Sequence, residues 1–316
     1  MDPQDELNLL AEVASLYYNE NLSHQQIADK LFYSRTKVTR MLQKARDYGI
    51  VDIKVNIPMV RIRVLEEKLK KQLKLDDVIV LRDFNVDKTT MLKKLCELAA
   101  NYVDQLIADN MTIGVSWGTT IYHFVEALKP QKRANINVVQ LVGAIAKNDD
   151  AKYDSAEIVR MLAAKFDANY TSLHAPLYVS EPSVAKALKD QDLIKESIEV
   201  ANHADMIITG ISDFTSFSHV RWEKHLSKSE KDHLLNQGAI GLIMARFINE
   251  SGQVIQGKVN ECTIGIELEQ LRKIKNVICI ASGQKKAKAL LAAVSGKYVS
   301  RLIIDERLAS EMINLL

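Results

Sequence analysis

Apolar positions along the chain change their spacing twice, and each change marks a different kind of element. From Asp5 to Asn19, Leu9, Val13, Leu16 and Tyr17 recur at helical spacing and predict an amphipathic helix. Within Asn21–Asp47 (NLSHQQIADKLFYSRTKVTRMLQKARD) the pattern predicts two short helices and a tight turn. Ser23 with Gln26 three residues later is a capping-box start, the hydroxyl accepting an orphan N–H while the amide reaches back. Ile27, Ala28 and Leu31 form the apolar stripe of the first helix, and Phe32-Tyr33-Ser34 makes the turn, with Ser34 placed to cap the second helix. In that second helix Val38, Met41, Leu42 and Ala45 fall at i, i+3, i+4 and i+7, so it has one apolar face. Gly49 ends the helical pattern as a C′ glycine does, and Ile50–Val55 alternates like a short strand.

Beyond Pro58, Ile62, Leu65, Leu69 and Leu73 make an apolar seam on the highly charged segment Arg61–Lys74. This is either a linker helix that pairs subunits or a helix docked on its own domain, since two heptads are too few for a coiled coil. From Asp76 onward short β-branched runs alternate with amphipathic stretches such as Lys88–Ala108 and Lys286–Val294. Strands are predicted at Val78–Leu81, Thr112–Val115, Ile136–Val142, Met206–Gly210, Ile240–Met244, Val277–Ala281 and Leu302–Ile304. Alternation of this kind implies an α/β fold with a parallel sheet covered on both faces. The chain divides into an all-α domain at 1–57, a linker helix at 58–75 and an α/β domain at 76–316.

Charge sharpens the reading of the first domain. Residues 1–60 hold seven basic and eight acidic side chains, yet Lys30 to Arg46 holds six Lys or Arg and no acid. Ser34, Arg35, Thr36, Lys37, Thr39, Arg40 and Lys44, with Arg46, therefore mark a basic helix held by a preceding one, the geometry that enters the major groove of double-stranded DNA. The plainer alternative is a helical hairpin with a solvated basic face. Elsewhere composition adds little: 47% hydrophobic and 26% charged residues with a net charge of +2 describe an ordinary soluble globular chain. Cys96, Cys262 and Cys279 stand in no paired or metal-ligand spacing, which suits a reduced, cytoplasmic setting with each as a small core residue. The acidic N-terminus excludes a signal peptide, and no run of eighteen apolar residues predicts a membrane span.

Ligands of parallel sheets bind outside the carboxyl ends of strands. Gly114-Val115-Ser116-Trp117-Gly118-Thr119-Thr120 lies between a strand and the helix Ile121–Leu128, where glycines expose N–H groups and hydroxyls add donors for a phosphate. It matches neither the Walker loop nor G-x-G-x-x-G, and a plain tight turn reads equally well. Ala281-Ser282-Gly283-Gln284-Lys285-Lys286 is a second such loop, and Leu141-Val142-Gly143-Ala144 a third. The seven histidines (24, 123, 174, 203, 219, 225 and 233) form no ligand-spaced pair, and there is no G-x-S-x-G elbow. Asp154, Glu157, Asp305 and Glu306 are candidate general bases of the kind any chain this size offers, so no catalytic or metal site is assigned and no cofactor is expected.

Over residues 5–316 the chain resembles the SorC family of bacterial transcriptional regulators, in the deoxyribonucleoside-regulator branch. The resemblance rests on LYYNENLSHQQIADKLFYSRTKVTRML, GVSWGTT, VVQLVG, HAPLYVS, QGAIG, NECTIGIEL, ASGQKKAKAL and LIIDE, in the family's order. It implies a helix-turn-helix followed by a Rossmann-like effector domain similar to sugar-phosphate isomerases and glucosamine-6-phosphate deaminase. It also implies a phosphorylated sugar that modulates operator affinity in a homodimer or homotetramer. By position, Gly114, Ser116, Gly118, Thr119 and Thr120 would hold the phosphate with Lys286 as counter-charge, and Gly143, Pro176 and Asn260 would line the sugar pocket.

Three departures qualify this. The family's G-D-I reads Gly241-Leu242-Ile243, so Leu242 stands in the pocket where a carboxylate would meet sugar hydroxyls. Val142 stands where deoxyribonucleoside-type members place a Schiff-base Lys, and A-G-G-x-x-K reads Ala281–Lys286 with Ser282 in the first glycine slot. The first two argue against deoxyribose-5-phosphate and for a less polar ligand or a weakened response. Two other classes compete: a sugar-phosphate isomerase or deaminase with an added arm, and a constitutive DNA-binding protein with a degenerate pocket.

Overall fold

A computed structural model describes residues 3–52, 58–145, 148–214 and 226–316. The chain separates into two compact units, Met1–Pro58 and Met59–Leu316.

The described residues of the first unit form helices α1 (Pro3–Tyr18), α2 (His24–Leu31) and α3 (Arg35–Asp47). The Ser23–Gln26 capping box opens α2, and Ser34 Oγ accepts the Lys37 N–H at 3.2 Å to open α3. Leu10, Val13, Ala14 and Leu16 of α1 close over Ile27, Ala28, Val38, Met41, Leu42 and Ala45. Leu9 and Tyr17, expected inside, are only half-buried because Leu10 and Ala14 take the centre of that face. Phe32 ends α2 in the left-handed region at φ 57°. After Gly49 (φ 71°), residues 50–52 form no strand, and the rest of the predicted strand Ile50–Val55 lies outside the described residues.

In the second unit the strands, in chain order, are β1 (Asp77–Leu81), β2 (Thr112–Val115), β3 (Asn137–Gln140), β4 (Asn169–Thr171), β5 (Met206–Thr209), β6 (Ser212–Asp213), β7 (Gly241–Ile243), β8 (Arg246–Ile248), β9 (Asn276–Ala281) and β10 (Arg301–Asp305). Seven of them form one parallel sheet in the order β1-β10-β9-β5-β2-β3-β4. Two-residue alternation divides each strand between two cores: Val78 and Val80 face one, Ile79 and Leu81 the other, and Cys279 and Ile280 divide likewise.

Handedness decides which helices cover which face. Right-handed crossovers that step from β1 to β2, β3 and β4 put their helices on one side. Accordingly α5 (Lys88–Asp104), α6 (Thr119–Ala127) and α7 (Ser155–Phe166) share one core, through Leu95, Phe124 and Leu162. Steps back through β5, β9 and β10 put helices Ala287–Ser295 and Glu306–Leu315 on the opposite side, through Leu290 and Leu308.

Two expectations are corrected. The predicted strand Ile240–Met244 is not in the parallel sheet; Gly241–Ile243 is the centre of a separate antiparallel sheet, β6-β7-β8. A three-residue run buried on both sides has the same apolar signature in either setting. The seventh parallel place belongs to β4, an edge strand of Asn169, Tyr170 and Thr171 whose polar composition gave no signal.

The seam at Arg61–Lys74 is helix α4 (Arg63–Leu73), docked on its own sheet. Leu69 is fully buried, and Ile62, Leu65 and Leu73 pack against the same core. The buried Glu66 carboxylate takes two bonds from Arg61, at 2.8 and 2.9 Å, and one from the Val80 N–H at 2.9 Å. Backbone bonds from Ile62 N to Val80 O (3.0 Å) and from Arg82 N to Val60 O (2.8 Å) complete the clamp. Glu66→Ala should lower unfolding free energy by about 2–4 kcal/mol in urea denaturation, because it strands both Arg61 and a backbone donor. Lys68→Ala on the exposed face of α4 should change it by less than about 0.5 kcal/mol.

Candidate effector site and nucleic-acid interface

Strand order reverses between β2 and β5, since the chain runs from β2 out to β3 and β4 but from β5 out to β9 and β10. A crevice opens at the carboxyl ends of strands at such a reversal. Ser116 N donates to Ile208 O at 3.1 Å and ties the end of β2 to β5.

The loops after β2 and β9 share one design. Gly118 (φ 104°) leads into α6, and Gly283 (φ 99°) leads into a short 3-10 turn, Gln284–Lys286. A Cβ at either glycine would meet nothing within 4 Å, so the space beside each is open and the backbone direction alone calls for glycine. Gly118 N donates to Tyr153 O at 3.0 Å, and Gly283 N to Asp305 Oδ2 at 2.7 Å. No side chain caps α6, which leaves its first-turn N–H groups available. Among the described residues, the hydroxyls of Ser116, Thr119 and Thr120 have no hydrogen-bond partner.

Lys286 is half-buried and forms no ion pair among the described residues. Burial pushes its ammonium below the ordinary lysine range, against the pull of Asp213 and Asp305. Cys96 is within electrostatic reach of Lys286, and its thiol donates to Thr120 O at 3.3 Å, so the lysine and the start of α6 share a neighbour. Burial pushes the Cys96 and Cys279 thiols up to about 12, which leaves them protonated and unreactive at neutral pH. All three cysteines are free and buried.

Other predicted site residues serve the fold. Gly114 lies inside β2, where a Cβ would stand 2.6 Å from Leu141 Cδ2. At Gly143 a Cβ would stand 2.4 Å from the Pro176 carbonyl carbon, so this glycine admits the close approach of another stretch of chain. Gly143 and Pro176 are brought together in a ladder, with Ala144 N donating to Ala175 O and Leu177 N to Ala144 O, both at 2.9 Å.

Asn260 is buried and its amide is occupied. Oδ1 accepts from Phe247 N at 2.9 Å, and Nδ2 donates to Phe247 O at 3.1 Å and Ile255 O at 2.6 Å. Beside it, Arg246 is almost fully buried, donates to Asn260 O at 2.7 Å and Thr263 O at 3.1 Å, and pairs with Glu267 at 2.8 Å. The sequence pattern did not reveal Arg246, since a lone arginine after a glycine-led strand carries no signal of burial. Leu242 and Val142 are buried in one core cluster, and a less polar ligand would have to reach past that packing. Asp305, a nominal general base, caps helix Glu306–Leu315 through Leu308 N at 2.8 Å and holds Gly283 with its other oxygen.

On α3, Arg35, Thr36, Lys37 and Arg40 are exposed, and the three cations form no ion pair among the described residues. Lys37 Nζ sits 3.7 Å over the Tyr33 ring. Thr39 Oγ1 donates to Arg35 O at 3.1 Å and meets His24 Nδ1 at 3.2 Å, and the Ser34 hydroxyl is held as a cap. Lys44 departs from the expected row: it pairs with Glu6 of α1, which neutralises its charge within the unit.

Among the described residues no cluster of potential metal ligands occurs, and no helix is long and apolar enough to cross a membrane. Residues 58–314 match the family described as "Putative sugar-binding domain". The second unit is thus a domain of that family. The chain is 30% identical over 311 residues to the deoxyribonucleoside regulator of Bacillus subtilis, covering 98% of this chain and 99% of that one. It is 26% identical over 311 residues to the sorbitol operon regulator of Klebsiella pneumoniae, covering 98% of each. The crystal structure of full-length SorC, the sorbitol operon regulator from Klebsiella pneumoniae, superposes with a TM-score of 0.73 at 26% identity, over 97% of this chain and 98% of that one. The chain belongs to the SorC family of bacterial transcriptional regulators, and the relatives it matches are named as regulators.

Asn260→Ala should lower unfolding free energy by about 2–4 kcal/mol in urea denaturation, since it leaves buried backbone groups of Phe247 and Ile255 unpaired. A variant of wild-type stability that had lost ligand binding would return Asn260 to the sugar pocket.

Proposed function

We propose that this regulator binds double-stranded operator DNA through α3 and that a phosphorylated sugar, held at the carboxyl ends of β2 and β9, sets its operator affinity. One observation carries the effector reading: two glycine-led loops, at strand ends on either side of β5, open onto free space, and Lys286, with no ion pair among the described residues, follows the second of them. Uncapped N–H groups of α6, the hydroxyls of Ser116, Thr119 and Thr120, and a half-buried cation suit a phosphate dianion. The names of the relatives, a deoxyribonucleoside regulator and a sorbitol operon regulator, support a sugar-derived ligand. Leu242 and Val142 in the core favour one other than deoxyribose-5-phosphate.

The DNA reading rests on the exposed, unpaired Arg35, Lys37 and Arg40, presented by a helix whose other face is buried. A line of bonds leads from the Gly283 loop to the start of the second unit. Gly283 N is held by Asp305, Glu306 Oε2 accepts from Asp83 N at 2.8 Å, and Arg82 N donates to Val60 O at 2.8 Å. Val60 lies two residues past Pro58, where the first unit ends. A ligand that draws the Gly283 loop inward acts on this line and biases the segment leading to the first unit. In a homodimer or homotetramer that bias sets the spacing of two α3 helices.

Fluorescence anisotropy on duplex DNA from upstream of the protein's own gene, with pentose and hexose phosphates added singly, tests the proposal. One sugar phosphate should change operator affinity; specific DNA binding indifferent to all of them favours a constitutive regulator. Arg35→Ala, Lys37→Ala and Arg40→Ala should each weaken binding and lower the slope of log K against log salt by about one. Unchanged affinity in all three would remove α3 from the interface. Lys286→Met should raise the sugar phosphate concentration for half-response by about 10- to 100-fold, and an unchanged value would put the phosphate elsewhere.

A further inference from the structure

Among the described residues of the first unit, Phe32 is the most exposed large hydrophobic side chain. It is 94% exposed, whereas the other large hydrophobic side chains exposed there, Leu7 and Tyr48, reach 37% and 53%. Its backbone is left-handed (φ 57°, ψ 39°), a conformation that a bulky side chain disfavours and that glycine or asparagine adopts readily at the end of a helix. Among the described residues its ring pairs with no other ring and no cation, while the neighbouring Tyr33 is covered by Lys37. An exposed aromatic and a strained backbone thus coincide at one residue with no compensating contact inside the protein.

The location supplies the compensation. Phe32 stands three residues before Arg35, at the turn that leads into α3, the helix that carries the exposed cations Arg35, Lys37 and Arg40. That row of charge suits a polyanion. In a helix-turn-helix the start of the second helix meets base edges, so the turn just before it lies at the groove mouth. The apolar surface a duplex offers there is the thymine 5-methyl group and the edge of deoxyribose.

We infer that Phe32 makes an apolar contact with operator DNA and contributes affinity that charge alone does not provide. This rests on the DNA-binding reading above. The test uses the full-length protein and a duplex that the wild type selects from a random pool. Phe32→Gly and Phe32→Asn both accept the left-handed backbone. Each should melt at or above the wild-type temperature while binding the duplex about tenfold more weakly. The salt slope should stay at its wild-type value, because no phosphate contact is lost, unlike the slope of Arg40→Ala.

Replacing thymines one at a time by deoxyuridine separates the two sources. If one replacement weakens the wild type but not Phe32→Gly, the partner is a methyl group. If affinity falls in Phe32→Gly and no replacement reproduces it, the partner is deoxyribose. Equal affinity of wild type and both variants overturns the inference, as does a fall of several degrees in melting temperature, which would give the ring to the fold. If the wild type selects no duplex, the DNA-binding reading itself fails and the contact with it.

Discussion

The reversal of strand order between β2 and β5 is the constraint on which the rest of the second unit depends. Because crossovers are right-handed, the reversal sends helices to both faces of the sheet and leaves the carboxyl ends of β2 and β5 without a covering connection. The loops there can therefore be shaped for something other than packing. Gly118 and Gly283 take backbone directions that other residues resist, and both face open space. By contrast Gly114 and Gly143, a few residues from the same mouth, are glycines because neighbouring chain leaves no room. The same residue type thus faces open space in one pair and close packing in the other.

Asp305 links that mouth to the rest of the chain. One oxygen caps the last helix and the other fixes Gly283, so the loop cannot move without disturbing helix Glu306–Leu315. That helix meets the end of β1 through Glu306 and the Arg307–Asp83 ion pair, and β1 is where Val60 and Ile62 are tied down. Glu66 reinforces the junction with a carboxylate that holds Arg61 and the Val80 N–H together. Hydrogen bonds thus connect the loop, step by step, to the start of the second unit. Such a path carries coupling only if two arrangements of it differ in ligand affinity.

Much of this was legible in the sequence where one physical cause dominates. Capping chemistry fixed the starts of α2 and α3, and apolar runs located six of the seven parallel strands. β4 was invisible because an edge strand tolerates Asn169, Tyr170 and Thr171, and β7 was placed in the wrong sheet because burial on both sides looks alike in either. Site residues were harder. Lys286 is half-buried and Gly118 leads into α6, but Asn260 turned inward to hold the backbone of β8, and Lys44 turned to Glu6. A polar side chain near a strand end can satisfy a ligand or the chain itself, and only the surrounding geometry distinguishes the two. Phe32 was read as part of a turn, with no indication that it would be left-handed and exposed.

In the proposed mechanism a ligand at the β2 and β9 loops and operator DNA at α3 act on one equilibrium. Coupling of that kind is reciprocal: the factor by which a sugar phosphate changes operator affinity must equal the factor by which operator changes sugar phosphate affinity. The most direct measurement is both titrations on the full-length protein, each with and without the other ligand at saturation, at one salt concentration. The mechanism predicts equal factors, clearly different from one, that collapse together in Lys286→Met. A sugar phosphate that binds the protein while leaving operator affinity unchanged would contradict it.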